Sequence, residues 1–278
     1  MKAHYENKVM SSFMLFVDHY LLEKGESYTN YSSYFYPTSN LYNGYYTYSA
    51  PFKQMVSDDS IAGAQVIKNL YVNGTPISPS SSNAPTDLHG INHYKGQVYF
   101  TQDQGSAVIS GDYSVKDFNV YLTNDPEQKL LFNTKYQLTP KFPQQLSGLA
   151  PDAQPYPAIF LKNMGGSNEP FAFGGADNTI TNARLVVMAD SSFKLDAACG
   201  ILKDLKYKRI PIAEDLPFDA MGSYTGLNYN YNTLTTTLGP LIWNARVSKM
   251  TMMGDFERLN TDVFSAFVDF ELQTVRVH

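Results

Sequence analysis

Along the first segment of the chain, apolar residues recur at three- and four-residue steps. Met10, Phe13, Met14, Val17, Tyr20 and Leu21 would share one face of a helix running from about Lys8 to Lys24, and Gly25 follows as a stop. From Glu26 to Pro51 the pattern dissolves. Tyr28, Tyr31, Tyr34, Phe35, Tyr36, Tyr42, Tyr45, Tyr46 and Tyr48 are spaced by Ser, Thr, Asn and Gly with neither a helical nor a strand period. The expectation is a long ordered loop, an arm that orders against a partner. Irregular segments of that length are uncommon in compact domains unless they have a function.

The region from Ile61 to Leu138 reads as β structure. Ala64 to Ile67 leads to Leu70-Tyr71-Val72, followed by the two-residue turn signal Asn73-Gly74. Gln97 to Phe100 and Ala107 to Ser110 are short apolar runs. Val115 to Leu122 alternates, and Lys129 to Tyr136 follows the turn at Asn124-Asp125-Pro126. Short strands punctuated by Gly at roughly ten-residue intervals predict a small antiparallel sandwich or barrel. Pro140, Pro143, Pro151, Pro155 and Pro157 mark a linker. Beyond it, Arg184 to Ala189 reads as a strand, Asp190-Ser191 as a helix N-cap, and Phe193, Ala197, Ala198, Ile201, Leu202 and Leu205 as the stripe of a helix. Pro211 and Pro217 close that helix and open a loop. Leu241 to Met252 and Phe264 to Val277 alternate. In the last strand Phe264, Ala266, Val268, Phe270 and Leu272 share one face, opposite Asp269, Glu271 and Gln273. There is no internal repeat.

These elements predict an α+β chain in five parts. An N-terminal helix (1–25) precedes a Tyr-rich arm (26–55), a β-rich antiparallel domain (56–139) and a Pro-rich linker (140–157). A C-terminal α/β part (158–278) carries a mixed sheet packed with a helix and is able to form one domain with 1–25.

Composition narrows the function classes. In 278 residues the charged fraction is 17%, below the usual ~25%, while aromatics reach 14% with 21 Tyr and 17 Phe against one Trp, which excludes a disordered chain. With 21 Lys and Arg against 26 Asp and Glu the net charge is −5, which does not attract a nucleic-acid polyanion. Low charge with abundant Tyr and Asn suits surfaces that meet protein or sugar. Cys199 is the single cysteine, so the chain has no internal disulfide, and its small apolar neighbours predict a buried structural thiol. The polar start, Met1 to Lys8, does not read as a secretory signal, and no run reaches the ~18 apolar residues of a membrane span. The expectation is a soluble product made in a cytoplasm.

No set of residues in the sequence assembles a catalytic centre. His89 and His93 have the four-residue spacing of a helical metal pair, but Gly90 and Gly96 predict a loop entering a strand. His4 and His19 fall in the first helix segment and His278 at the end, so no third ligand follows from spacing. Asp58-Asp59 and Glu214-Asp215 are adjacent acids, whereas a glycosidase needs two carboxylates across a cleft. They read as solvated loop acids. Gly165-Gly166 and Gly174-Gly175 around Phe171 and Phe173 read as a glycine-rich loop without a phosphate-cradling pattern. Lys203, Lys206, Lys208 and Arg209 complement the C-terminal end of the second helix. We therefore expect no enzyme, no catalytic, cofactor-binding or metal residues, and no cofactor.

Several stretches together resemble the neck and tail-structural proteins of contractile-tailed bacteriophages, including those of cyanophages. They are Tyr20 to Gly25, Asp59 to Ala64, Gly90 to Phe100 and Ile109 to Tyr121, completed by Arg184 to Leu205 and Trp243 to Val277. The C-terminal half is similar in order of elements to tail terminators. The resemblance implies a virion structural protein made in the host cytoplasm, most simply a tail terminator. Its homo-oligomeric ring, a hexamer, would cap tail tube and sheath and join them to the head connector, with DNA passing through the lumen without specific binding. A head–tail connector adaptor or stopper is the alternative within that class, with Gly165 to Gly175 as the stopper's lumen loop. A carbohydrate-binding β module of a tail is the alternative outside it.

Overall fold

The computed structural model describes residues 5–39, 41–67, 70–77, 88–127, 130, 156–172, 175–206, 208–213, 216–217, 228–234, 241–252 and 263–277. The architecture is α+β and mostly β, with an N-terminal helix, a curled antiparallel sheet and a second, mixed sheet packed with a helix. The chain forms two compact units. One comprises 1–25, 117–216 and 233–278; the other comprises 26–116 and 217–232.

In the first unit, α1 (Tyr5–Gly25) is buried around most of its circumference. From Val9 to Leu22 only Ser11 and Met14 are partly exposed. The sequence pattern singled out one stripe, but Leu15, Phe16 and Leu22 are buried too, as are Asp18 and His19, because a helix apolar on all sides belongs inside a core. Ser12 Oγ accepts a hydrogen bond from the Ala213 N–H at 3.1 Å. The sheet comprises β8 (Asn119–Leu122), β9 (Ala158–Ala172), β10 (Ala176–Ala189), β11 (Arg209–Pro211), β12 (Leu241–Met252) and β13 (Phe264–Val277), in the order β11-β12-β13-β10-β9-β8. All pairings are antiparallel except β8–β9. Alternation divides the central strands between two cores. Ile159, Leu161, Leu185, Val187, Val268 and Phe270 are buried in register, with Phe13 of α1 edge-on to Phe270 at 5.2 Å. On the opposite face Tyr121, Phe160, Val186 and Phe267 form a cross-strand row beside Leu130 and Met188.

Helix α2 (Ser192–Lys203) begins where the N-cap signal placed it, with Ser191 Oγ accepting from the Lys194 N–H at 3.3 Å. Its buried stripe is Leu195, Ala198, Cys199 and Leu202, one step round from the expected one, so Phe193 stands 81% exposed. The helix ends at Lys203, not at Pro211, which lies in β11. Two further expectations change. Leu130 sits in a helical turn, its N–H bonded to Pro126 O, where a strand was expected over 129–136; residues 131–136 and the linker up to 155 lie outside the described residues. Of the glycine-rich loop expected at 165–175, residues 165–172 form the outer half of the long strand β9, whereas Phe173 and Gly174 lie outside the described residues. Gly165, at φ +87°, forms a bulge opposite Thr181 to Ala183, and the strand resumes at Gly166.

The second unit is a seven-stranded antiparallel sheet in the order β4-β3-β7-β1-β2-β6-β5. Its strands are β1 (Tyr28–Pro37), β2 (Tyr46–Ser49), β3 (Leu70–Val72), β4 (Thr75–Ile77), β5 (Leu88–Asn92), β6 (Gln97–Phe100) and β7 (Ile109–Lys116). The expected arm at 26–55 is therefore not an arm. It supplies β1, held in the middle of the sheet between β7 and β2, in register from Tyr28 with Lys116 to Phe35 with Ile109. The period was hidden because Tyr occupies both faces. Tyr31, Ser33 and Phe35 point inward while Tyr34 and Tyr36 are 56% exposed, and the inward hydroxyl of Ser33 lies 2.6 Å from Tyr113 OH. Two Asn-Gly pairs turn the chain with both residues at positive φ: Asn73-Gly74 (51°, 80°), as expected, and Asn43-Gly44 (48°, 87°), which the aromatic spacing masked. The alternating run at 115–122 is divided between the units, β7 in one and β8 in the other.

Candidate assembly surface

The residues singled out for chemistry are placed apart and in structural roles. Asp58 is fully buried. Its Oδ1 accepts from the Ser60 N–H (3.0 Å), the Ser60 hydroxyl (2.7 Å) and the Tyr231 N–H (3.0 Å), so it is not a solvated loop acid. It fastens a distant segment: Tyr229 N–H donates to Ser57 O at 3.0 Å, and Asp59 N–H to Tyr229 O at 2.8 Å. A single helical turn, Tyr231–Leu234, follows. His93, 3% exposed, joins the same fastening. Its Nε2 meets Asn228 Oδ1 at 2.8 Å, and the Asn228 amide donates to Ile67 O at 2.7 Å. Burial, with Lys116 adding repulsion against the Asn228 bond, pushes the His93 pKa down to about 4, and Nδ1 has no hydrogen-bond partner. His89 lies on β5 and stacks on Tyr45 at 3.7 Å, so the histidine pair does not converge. Among the described residues no group of three His, Cys, Asp or Glu is arranged to hold a metal ion.

Cys199 is buried, and burial followed by the Asp196 charge raises its pKa to about 11, which suppresses the thiolate. Of the basic group at 203–209, Lys208 turns inward, its Nζ 2.8 Å from Tyr20 OH and 4.0 Å from the centre of that ring. His19 lies in α1; His4, His278, Glu214 and Asp215 lie outside the described residues.

Sequence reasoning missed the charged row across the mixed sheet. Lys162, Arg184 and Asp269 occupy one register line on β9, β10 and β13. The Arg184 guanidinium makes a two-pronged contact with Asp269 (2.7 and 2.9 Å), reaches Glu127 at 3.1 Å and lies 5.0 Å over Phe267, while Lys162 Nζ is 3.9 Å from Glu127. The hydrogen bond to Asp269, before any other cause, holds the guanidinium more firmly protonated than usual. This row clamps three strands and the turn at Glu127; it leaves no cleft-facing acid or base. No local pattern marks residues 184 and 269 as partners, because only register aligns them.

What the geometry leaves open is backbone and aromatic surface. Met164 to Pro170 of β9 are exposed without interruption, although β10 and β13 run beside them in register. The two end strands of this sheet are short. β8 covers β9 only at 158–161, with one further bond from Thr123 N–H to Leu161 O, and β11 covers β12 only at 241–243. In the other unit Tyr34, Tyr36, Leu41, Tyr42 and Tyr94 are exposed, and Tyr42 stacks on Tyr99 at 5.0 Å.

No protein-family model matches the chain, and no curated protein matches it in sequence. Among the described residues no helix is long and apolar enough to cross a membrane.

Proposed function

We propose that the chain is a structural virion protein of the neck of a contractile-tailed phage: a tail-terminator-like subunit whose homo-oligomeric ring caps tube and sheath and docks the head connector. One observation carries this reading. The β9–β10–β13 extension stays paired to its end while Met164 to Pro170 lie exposed, which is costly for an isolated chain and useful for one that pairs with neighbours. Exposed tyrosines support it, since Tyr gives large contact area at low entropy cost. A net charge of −5 suits a lumen through which DNA slides without being held. The work is interface complementarity, and no bond is made or broken.

Native mass spectrometry over a concentration series tests it. A discrete hexamer is the expected result, and a dodecamer would move the assignment to a connector adaptor. A trimer that binds glycans would overturn it in favour of a receptor-contacting tail protein.

A further inference from the structure

We infer that copies of this chain join by strand pairing, the outer half of β9 in one copy adding antiparallel to the open part of β12 in the next. The inference rests on the ring reading and specifies its contact. Because β8 and β11 are short, the mixed sheet ends in two ledges: residues 163–172 of β9 and 244–252 of β12, neither paired on its outer side by any described strand. They lie at opposite ends of the sheet and at diagonally opposite corners. The β9 ledge is level with the hairpin tip, whereas the β12 ledge is level with Val268 and Leu185.

Strand direction favours this pairing. Through the antiparallel steps β9–β10, β10–β13 and β13–β12, β9 and β12 run in opposite senses. A neighbour brought alongside by translation or gentle rotation thus presents β12 antiparallel to β9, a head-to-tail contact that uses different surfaces on the two copies. Sliding the neighbour by four residues, an even step that keeps the faces of the two sheets continuous, brings Lys249, level with Arg184, to the level of Ser167, opposite Ile180. That stagger places the first copy's β8 past one end of the neighbour's β12. The neighbour's β11 then begins level with Ala172, beyond Pro170, so the short end strands do not collide. The stagger is about 14 Å at ~3.4 Å per residue, across about 19 Å for the four strands each copy contributes. The resulting tilt of about 35° lies at the lower end of the ~35–45° of closed β-barrels.

Charge points the same way. Residues 163–172 contain one acid, Glu169, and no base, whereas 244–252 contain Arg246 and Lys249 and no acid. Opposite charges across an interface favour β9 against β12 and disfavour β9 against a second β9. Pro170 lacks an N–H and limits the pairing to the residues before it.

Two measurements test this. The first mixes a Ser167→Cys chain with a Lys249→Cys chain under mild oxidation, with Arg246→Cys and Thr251→Cys covering neighbouring registers. Cα atoms facing each other in an antiparallel pair lie at ~4.5–5.5 Å, within disulfide reach, and Cys199 is buried. The expected result is a disulfide between different chains in the mixture and none in either variant alone. The second compares hydrogen exchange of the unsubstituted chain when dilute and when assembled. Exchange should slow about tenfold or more at both 163–169 and 246–252. An assembled ring without the mixed disulfide and without this protection overturns the inference and leaves the ring reading standing. A disulfide in Ser167→Cys alone means two β9 edges meet, which also overturns it. A chain that stays monomeric at every concentration overturns both.

Discussion

In the mixed sheet the rows facing α1 are mainly aliphatic: Ile159, Leu161, Leu185, Val187 and Val268, closed by Phe270 against Phe13. In the curled sheet the corresponding work falls to Phe35, Tyr48, Phe100 and Tyr113, which pack edge to face. Phe35 lies 5.8 Å from Tyr113, and Tyr48 lies 5.5 Å from Phe100. The aliphatic side chains of those rows carry no polar atoms to satisfy. The aromatic core must place each hydroxyl: Tyr113 OH against Ser33, Tyr48 OH on Asp103 at 3.1 Å. Burial pushes the Tyr113 hydroxyl pKa up, and the Ser33 contact offsets part of that. Those aliphatic rows are thus held mainly by area removed from water, the aromatic core of the curled sheet by area together with polar contacts that must fit. Such contacts give conformational specificity and make stability more sensitive to pH.

The largest expected effect sharpens the aliphatic side of this comparison. Phe270→Ala removes a ring that is 1% exposed and its contact with Phe13, and should cost about 3–5 kcal/mol in urea unfolding followed by the emission of Trp243, the single tryptophan. A loss of less than about 1 kcal/mol would show that this core repacks freely and that the contrast with the curled sheet is overstated.

A second test uses acid and addresses the curled sheet. The His93 pKa of about 4 in the folded chain lies below its ordinary 6.5. A histidine held neutral by burial contributes stability that is complete above about pH 6.5 and is lost as pH falls toward 4, to a total of about 3 kcal/mol. His93→Gln should flatten the dependence of the urea midpoint on pH across that window. Equal slopes for the two chains would mean that this fastening is not what acid loosens.

The smallest effect concerns a single hydroxyl. Tyr113→Phe keeps the ring and its contact with Phe35 but leaves Ser33 Oγ without that partner, and should cost about 1 kcal/mol. Ser33→Ala combined with Tyr113→Phe should recover part of the loss, since neither polar atom then remains. A double variant as unstable as the sum of the two singles would show the pair to be uncoupled.

The assembly surface was legible only in part. The resemblance and the Tyr-rich composition led to the expectation of an arm at 26–55 that orders against a partner, and the chain forms no arm there. The tyrosines at 28–36 belong to β1, whose inward positions build a core, and residues 165–172 of the glycine-rich stretch belong to the extended strand β9. Asn43-Gly44 was the signal that could have exposed the β1–β2 turn. The ledges of β9 and β12 could not be found from the chain alone, because an open edge depends on how far the neighbouring strand reaches.

Local chemistry by itself determined α1, the cap at Ser191, the Asn73-Gly74 turn, the strand β12 and the alternation along β13, because periodicity and turn preference act within a few residues. Tertiary structure decided the rest. Ser33 meets Tyr113 across 80 positions, Arg184 meets Asp269 across 85, and Asp58 holds the Tyr231 amide across 173. Each of these pairs exists because register and chain crossing bring two polar groups out of water together. No short window of sequence contains both partners, so only the folded chain could select them.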